Sequence, residues 1–216
     1  MEGGAGVGDT ARRQPNPRGQ GSRLRGELLD AASALLAADG HDAKLTLRGI
    51  ARAAGVAAPS VYQQFGDLDE LMLELIRYHL AELGRAIATA LAEVSEATAA
   101  EQLSVISHAY VRWGLANPGP YTVVFDGKVL RQLTREQEAA MLAGTDLFDA
   151  LTAITATVVV PRKDPVTAAT ALWTALHGVV MLRLAKPAYP WPPLAAHVDA
   201  VLTAAWHSTP GQPEIR

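Results

Sequence analysis

Residues 46–65 predict two short helices joined by a glycine turn, and this pairing limits the possible fold more than any other feature. Thr46 is a good N-cap for a first segment, LRGIARAA, which ends at Gly55. A second segment, APSVYQQF, has Pro59 in its first turn, where a missing N–H costs little. Helices of about eight residues are marginal by themselves, so both must pack against flanking helices.

The apolar residues of this segment indicate a helix-turn-helix at about 46–65. Gly55 suits the tight turn because it adopts positive φ without a steric penalty. In such a motif the second helix lies in the DNA major groove and the first crosses the backbone. The residues predicted to hold the two helices together are Leu47, Ile50, Ala51, Ala54, Val56, Val61, Tyr62 and Phe65.

The flanking sequence reads as helix almost throughout, which predicts an all-α fold. Ser22 is a candidate N-cap for a helix that stops at Gly40, and Asp67 opens a long helix that runs to about residue 92. Further helices are expected at about 100–116, 134–157, 165–185 and 193–207, with a short turn or helix around 121–125. The strand-like runs are isolated between helices, so a sheet is not expected.

Charge and composition narrow the function. The net charge is −3, but residues 11–65 contain eight basic and four acidic residues and are locally positive. The chain has no cysteine, which excludes disulfides and thiolate chemistry. No apolar run is judged long enough for a membrane span, and no signal peptide is seen at the start, so we expect a cytoplasmic protein that does not associate with membranes.

The domain organisation follows from these patterns. Residues 1–21 are rich in Gly, Arg and Pro and predict a disordered basic tail. Residues 22–75 form the predicted three-helix DNA-binding domain. Residues 76–210 form the predicted helical bundle for ligand sensing and dimerisation, because one DNA-reading motif does not need them.

The segment TLRGIARAAGVAAPSVYQQFGDLDELM, residues 46–72, resembles the DNA-binding domain of the TetR family of bacterial repressors, and the resemblance covers about residues 23–75. It implies a homodimer that binds double-stranded operator DNA. Side-chain chemistry agrees, since Arg48 can reach a phosphate or a guanine and Gln63 can pair with adenine. The residues that the resemblance places at the DNA are Thr46, Arg48, Ala58, Pro59, Ser60, Tyr62, Gln63 and Gln64.

Two positions depart from the family pattern. Gln64 stands where the family usually has His, and Leu68 stands where it usually has a Lys that meets the phosphate backbone. We therefore expect weaker phosphate anchoring, or compensation by Arg23, Arg25 or the tail.

The last two helices are the predicted dimer interface. Apolar stripes run along the final helix through Leu194, Val198, Val201, Leu202 and Ala205, and along the helix before it through Val166, Ala169, Leu172, Leu176, Val180 and Leu184. Two such helices from each subunit would form a four-helix interface, as the resemblance also implies. The alternative is that the stripes belong to the core of a single chain.

The second half is also the predicted site of a small, mostly apolar or aromatic effector. Trp173, His177 and Gly178 match a W-x-x-x-H-G arrangement that resembles a TetR subgroup named for that motif. His177 could be a hydrogen-bonded core residue or could line the pocket, and the aromatic residues could equally be plain core. The candidate ligand-binding residues are Tyr110, Trp113, Phe125, Phe148, Trp173 and His177.

Other classes of function fit the sequence poorly. The six histidines have no metal-binding spacing, and no serine lies in a nucleophile elbow, so we expect neither an enzyme nor a metal or cofactor. A ligand-responsive activator of the same fold is an alternative to a repressor, because activation or repression depends on where the operator lies relative to the promoter. A helical protein-interaction adaptor is the remaining alternative.

Overall fold

The computed structural model of the chain describes residues 21–39, 45–94, 96–125, 147–158 and 164–207. Every regular element within these residues is an α-helix, which confirms the all-α prediction. In chain order the helices are α1 (Gly21–Asp39), α2 (Leu47–Ala53), α3 (Ala58–Tyr62), α4 (Leu68–Ala92), α5 (Ala99–Ala116), α6 (Pro118–Phe125), α7 (Leu147–Val158), α8 (Pro165–Ala185) and α9 (Leu194–His207).

The first four helices enclose an N-terminal core. Leu28, Ile50, Val61 and Leu71 come from α1, α2, α3 and α4 in turn, and none of them is exposed to solvent. Each of the two short helices therefore contributes at least one fully buried side chain to a shared core. This packing is what stabilises helices too short to persist alone.

The long helix α4 connects this core to a second one. Its start is fixed by Asp67, whose carboxylate accepts a hydrogen bond from the N–H of Glu70 at 2.8 Å, as the sequence predicts. Leu71 and Leu75 pack in the N-terminal core, whereas Leu83 and Ile87 pack in the second. Helix α4 therefore contributes buried side chains to both cores.

The second core lies among α5, α7, α8 and α9. A capping box at Thr98 and Glu101 fixes the start of α5, and Asp164 caps α8 through the N–H of Thr167 at 2.8 Å. Leu103, Leu172 and Leu202 are almost completely buried there.

The short helix α6 packs against both cores. Tyr121 belongs to the second core, Val123 and Val124 belong to the N-terminal core, and Phe125 contacts both. The helix starts at Pro118, three residues before the predicted Tyr121. Proline is compatible with a first helical turn, and the N–H of Tyr121 donates to the carbonyl of Asn117 at 2.9 Å.

Some predicted boundaries differ from the structure or lie outside the described residues. Ser22 lies inside α1, which begins at Gly21, so it is not the N-cap. Gly40, residues 1–20 of the predicted tail and the first part of the predicted helix 134–157 are outside the described residues.

Helix α8 is long and apolar enough to cross a membrane by length and composition, so the prediction that no segment meets this criterion is wrong. Buried helices of soluble bundles pass the same test. Leu172, Leu176 and Val180 of α8 pack in the second core, and 28% of its apolar window is buried within the chain. Helix α8 therefore packs one side into the second core, and most of its apolar window is not buried within the chain.

Candidate functional site

Helix α2 and the turn after it have the geometry of the predicted motif. The hydroxyl oxygen of Thr46 accepts a hydrogen bond from the N–H of Gly49 at 3.0 Å, which confirms it as the N-cap. Gly55 has φ of +66°, the left-handed conformation that favours glycine. Leu47, Ile50 and Ala51 are buried, so the opposite face of α2 carries Arg48 and Arg52 into solvent.

Helix α3 is shorter than predicted, because it ends at Tyr62 rather than near Phe65. The N–H groups of Gln64 and Phe65 both donate to the carbonyl of Val61 at 2.9 Å, which tightens the chain into a turn. Val61 is fully buried and Phe65 is 1% exposed, whereas Tyr62 between them is 53% exposed. Burial on one side therefore leaves the opposite face of α3 open to solvent.

The residues predicted to contact DNA lie together around α2 and α3. Thr46, Arg48, Pro59, Tyr62 and Gln63 are exposed. Ala58, Ser60 and Gln64 are half-buried, and Gln63 and Gln64 follow α3 rather than belonging to it. The small side chains of Ala57, Ala58 and Ser60 allow the backbone at the start of α3 to approach a DNA groove closely.

Arg25 forms several contacts within the protein, and its compensation for the missing lysine at the DNA stays a prediction. Its guanidinium group donates to the carbonyl of Gln64 and lies 4.2 Å above the ring of Phe65. It also pairs with Glu74 at 3.5 Å and Glu70 at 3.7 Å. These contacts hold the turn after α3 against α1. Arg23 is more exposed and pairs with Glu27 at 3.0 Å.

Leu68 has a packing role at the position where a phosphate-binding lysine was expected from the family pattern. It is half-buried and packs against the N-terminal core at the first position of α4. A leucine at this position therefore buries apolar surface, but it cannot form the charged contact with phosphate that a lysine would form.

The second domain encloses an apolar cavity of about 470 Å³. This volume is in the range of small-molecule sites. Leu80 and Phe125, which line the cavity, also pack with the N-terminal core. Its described lining residues are Leu80, Leu83, Ile87, Ile106, Tyr110, Phe125, Leu147, Phe148, Asp149, Leu151, Trp173 and Leu176.

A chain of hydrogen bonds runs from the cavity wall into the core. The indole N–H of Trp173 donates to the hydroxyl oxygen of Tyr110 at 3.2 Å. The hydroxyl oxygens of Tyr110 and Tyr121 are 2.7 Å apart, and that of Tyr121 is 2.7 Å from Nδ1 of His177. The rings of Tyr121 and His177 are also stacked, with centroids 5.5 Å apart.

Burial keeps this chain uncharged at neutral pH. Desolvation raises the pKa of Tyr110 to about 12 and raises that of Tyr121 further. The same cause lowers the pKa of the His177 imidazole below its ordinary value. The network therefore consists of neutral groups that exchange hydrogen bonds but carry no charge.

Four of the six candidate ligand-binding residues line the cavity, namely Tyr110, Phe125, Phe148 and Trp173. Trp113 and His177 are not among its described lining residues. His177 is half-buried and hydrogen-bonded to Tyr121, and its ring also lies 5.2 Å from that of Phe125 in the cavity lining. Its role at a ligand site stays a prediction. Tyr121 was missed by the sequence analysis, although it has no exposed surface and joins Tyr110 to His177. The sequence predicted only a short turn or helix around 121–125, without a role for this side chain in the core.

The most buried members of the two apolar stripes pack inside the chain, whereas Val166 at the start of α8 is 52% exposed. Leu172, Leu176, Val198 and Leu202 are at most 2% exposed in this single chain. This supports the alternative of an intrachain core for those side chains and leaves the outer faces of α8 and α9 as the remaining candidates for contact. Among the described residues, no group of three or more His, Asp or Glu side chains could hold a metal ion.

Two family models match the chain. Bacterial regulatory proteins of the tetR family match residues 28–75, and the tetracyclin repressor-like C-terminal domain matches residues 103–207. Together they span well over half of the chain and coincide with the two cores. A curated relative, an uncharacterized HTH-type transcriptional regulator of Haemophilus influenzae, is 44% identical over 57 residues, which are 26% of this chain and 28% of that relative.

Solved structures share the whole fold at low identity. A protein of unknown function from Rhodococcus sp. RHA1 superposes with a TM-score of 0.70 at 23% identity, covering 92% of this chain and 97% of that one. A TetR family transcription regulator from Marinobacter aquaeolei VT8 superposes with a TM-score of 0.66 at 19% sequence identity, covering 88% of this chain and 97% of that one. The transcriptional regulator FadR from Bacillus subtilis, in complex with stearoyl-CoA, superposes with a TM-score of 0.66 at 20% sequence identity, covering 85% of this chain and 98% of that one. With both halves matched by its models, the chain belongs to the TetR family of bacterial regulatory proteins, whose members are DNA-binding transcription regulators and not enzymes.

Proposed function

We propose that this chain is a transcriptional repressor that binds a palindromic operator as a homodimer and is released by a small, mostly apolar or aromatic effector. The observation that carries the proposal is the open face of α3 and of the turn after it, where Pro59, Tyr62 and Gln63 are exposed beside the exposed Arg48 of α2. A helix held by its buried side and open on the other is what insertion into a major groove requires.

Phosphate contacts would position this face on the duplex. Arg48 and Arg52 are exposed, and neither has an ion-pair partner among the described residues. The hydroxyl group of Thr46 already accepts from Gly49, so its own proton is what it can offer to a phosphate. Base contacts would come from Gln63 and Tyr62, since Gln63 can form two hydrogen bonds with adenine.

A second copy of the chain would cover the outer faces of α8 and α9. On α8 the exposed residues Val166 and Leu182 are 52% and 54% exposed, and the small residues Ala171 and Ala175 lie between them. An apolar helix that is only partly buried within its own chain typically marks an interaction surface. Two copies reading two half-sites would provide the affinity that one half-site lacks.

The effector would act through α4 and α6. Leu80 of α4 and Phe125 of α6 line the cavity and also pack against the N-terminal core. A molecule that displaces either residue would therefore shift the helices on which α1–α3 rest. A coupling of about 2.7 kcal/mol would weaken operator binding roughly 100-fold.

The finer assignment to the W-x-x-x-H-G subgroup is part of the same proposal. Trp173, His177 and Gly178 lie in α8, and Trp173 and His177 are connected through Tyr110 and Tyr121. A protein that binds operator DNA acts in the cytoplasm, and we propose that location.

Binding to the DNA upstream of the protein's own gene tests the proposal. We expect a Kd of about 10⁻⁸–10⁻¹¹ M by fluorescence anisotropy, with affinity that falls steeply as salt increases. Arg48→Ala should weaken binding and reduce the salt slope by about one. Arg85→Ala is the matched control, because Arg85 lies on α4 beside Glu82 and far along the chain from α3. Equal losses for the two variants would contradict the assigned face.

The effector part of the proposal has its own test. A compound that saturates the cavity should lower operator affinity at fixed salt. If a compound saturates the protein and operator affinity does not change, the release mechanism is wrong even when DNA binding itself is intact.

A further inference from the structure

We propose that the cavity selects an uncharged molecule whose apolar body carries a hydrogen-bond acceptor, and that the hydroxyl group of Tyr110 donates to this acceptor. The inference rests on the proposed function, because it specifies the chemical class of the effector for the same cavity. It follows from the directions that the hydrogen bonds between Trp173 and His177 can take.

The direction of the first bond is fixed. An indole N–H can only donate, so Trp173 donates and the oxygen of Tyr110 accepts. The next two bonds can run either way, since hydroxyl groups and a neutral imidazole can each donate or accept. The low pKa that burial imposes on His177 supports the neutral form.

Two arrangements of protons satisfy the observed distances. In the first, Tyr121 donates to Nδ1 of His177, which carries its own proton on Nε2, and Tyr110 donates to Tyr121, so the indole proton and both hydroxyl protons have acceptors. In the second, His177 carries its proton on Nδ1 and donates to Tyr121, and Tyr121 donates to Tyr110. Tyr110 then accepts from two sides, and its own proton has no acceptor within the network.

The second arrangement is completed by a ligand in the cavity. Tyr110 and Trp173 both line the cavity, so a ligand there lies next to both residues, and in this arrangement the Tyr110 hydroxyl group donates to it. A buried donor without an acceptor is unfavourable, so a ligand oxygen at this position stabilises the arrangement that offers it a proton. An ester, ketone or ether oxygen has the required chemistry.

The described lining offers no cationic partner, and its one charged side chain is exposed to solvent, which disfavours a charged ligand. Among the described lining residues the only charged side chain is that of Asp149, in the first turn of α7. An anionic ligand would lose its hydration without gaining a cationic partner from these residues. The aromatic rings of Phe125, Phe148 and Trp173 instead offer flat apolar contact.

Four probes with one naphthalene body test the inference. They are 2-ethylnaphthalene, methyl 2-naphthyl ketone, 2-naphthoate and 2-naphthylmethylammonium, each measured by equilibrium dialysis against the full-length protein without DNA. We expect the ketone to bind about fivefold more tightly than the hydrocarbon, the advantage of one added hydrogen bond. Both charged probes should bind more weakly than the ketone.

A matched pair of variants identifies the donor. Tyr110→Phe keeps the ring and should make the ketone and the hydrocarbon bind equally well. Tyr78→Phe is the control, because the Tyr78 hydroxyl group donates to Asp30 outside this cavity. That variant should preserve the preference for the ketone.

A second measurement applies if Tyr110→Phe does not fold. The carbonyl stretch of the ketone, observed as a ¹²C/¹³C difference in the infrared, should move to lower frequency on binding to the wild-type protein. An unshifted carbonyl, equal affinity for ketone and hydrocarbon, a preference for a charged probe, persistence of the preference in Tyr110→Phe, or no binding of any probe would each overturn the inference. Since DNA is absent, failure of operator binding leaves this result unaffected.

Discussion

Gly114 is the residue at which three helices approach most closely. A Cβ atom at this position would lie 2.8 Å from two ring carbons of Tyr121 and 2.9 Å from Cγ1 of Val180. Gly114 belongs to α5, Tyr121 to α6 and Val180 to α8. Tyr121 is fully buried, so its ring cannot move out into solvent to make room for a Cβ atom. The absence of a side chain on Gly114 therefore permits the packing that supports the hydrogen-bond chain.

Replacing Gly114 by alanine should destabilise the protein. Overpacking at this contact should lower the free energy of unfolding by about 1–3 kcal/mol, measured by urea denaturation. Gly26→Ala in α1 is the control, since a Cβ there meets no atom within 4 Å. We expect that change to be stabilising by about 0.5–1 kcal/mol. Equal stability of the two variants would show that α5, α6 and α8 are less tightly packed than described.

Residue roles that depend on distant partners could not be predicted from the sequence. Arg25 was assigned to possible phosphate contact from its charge alone, yet its partners include Gln64, Glu70 and Glu74 of other elements. The cap of Thr46 was predictable because its partner is three residues away. Hydrogen bonds between residues close in sequence leave a recognisable sequence pattern, whereas contacts between distant segments do not.

The interface between α1 and α4 contains a buried histidine. His79 is 1% exposed, with Nδ1 2.9 Å from a carboxylate oxygen of Glu82 and Nε2 3.0 Å from the hydroxyl oxygen of Ser33. Desolvation lowers the pKa of His79 below the ordinary 6.5, although Glu82 and Asp30 act in the opposite direction. The folded protein therefore favours the neutral imidazole.

This burial predicts a pH dependence of stability. Below pH 6.5 the unfolded chain binds a proton at His79 that the folded chain does not, so stability should fall as the pH is lowered from 7.5 through 6.5 towards the folded pKa. His79→Gln should show a smaller decrease over the same range in thermal unfolding. A variant whose stability falls as steeply as that of the wild type would rule out His79 as a cause.

Element boundaries were predictable where the sequence carries a cap. The starts of α2, α4 and α8 follow from Thr46, Asp67 and Asp164. The early end of α3 and the early start of α6 were missed. Both depend on packing, since α3 closes into a turn held by Arg25 and α6 is held between the two cores.

At the scale of the whole molecule, the outer face of α8 tests the dimer. Leu182 is 54% exposed on this face, and a charge there would have to be desolvated in an apolar interface. Leu182→Glu should convert a dimer to a monomer in sedimentation velocity. Ala88→Glu, at an exposed position of α4, should leave the sedimenting mass unchanged. A Leu182→Glu variant with the wild-type mass would exclude this face as the interface.

The sequence predicted which segments carry the candidate site residues, but not which of those residues lie together in three dimensions. The residues named for DNA contact are clustered, because they lie within twenty positions of one another. Four of the six named for ligand contact line one cavity, whereas Trp113 and His177 are not among its described lining residues. Which face of a helix borders a cavity depends on neighbouring helices far away in the chain, and periodicity reports only that the face is apolar.

The most direct test of the account is the base-by-base specificity of Gln63→Ala. Operator variants, each with one base pair changed, are titrated with wild-type protein and with the variant at one salt concentration. If the exposed side of α3 reads the major groove, the variant should lose about 1–3 kcal/mol of discrimination at one symmetry-related pair of positions and keep it elsewhere. An unchanged specificity profile would contradict the assignment of α3 as the reading helix.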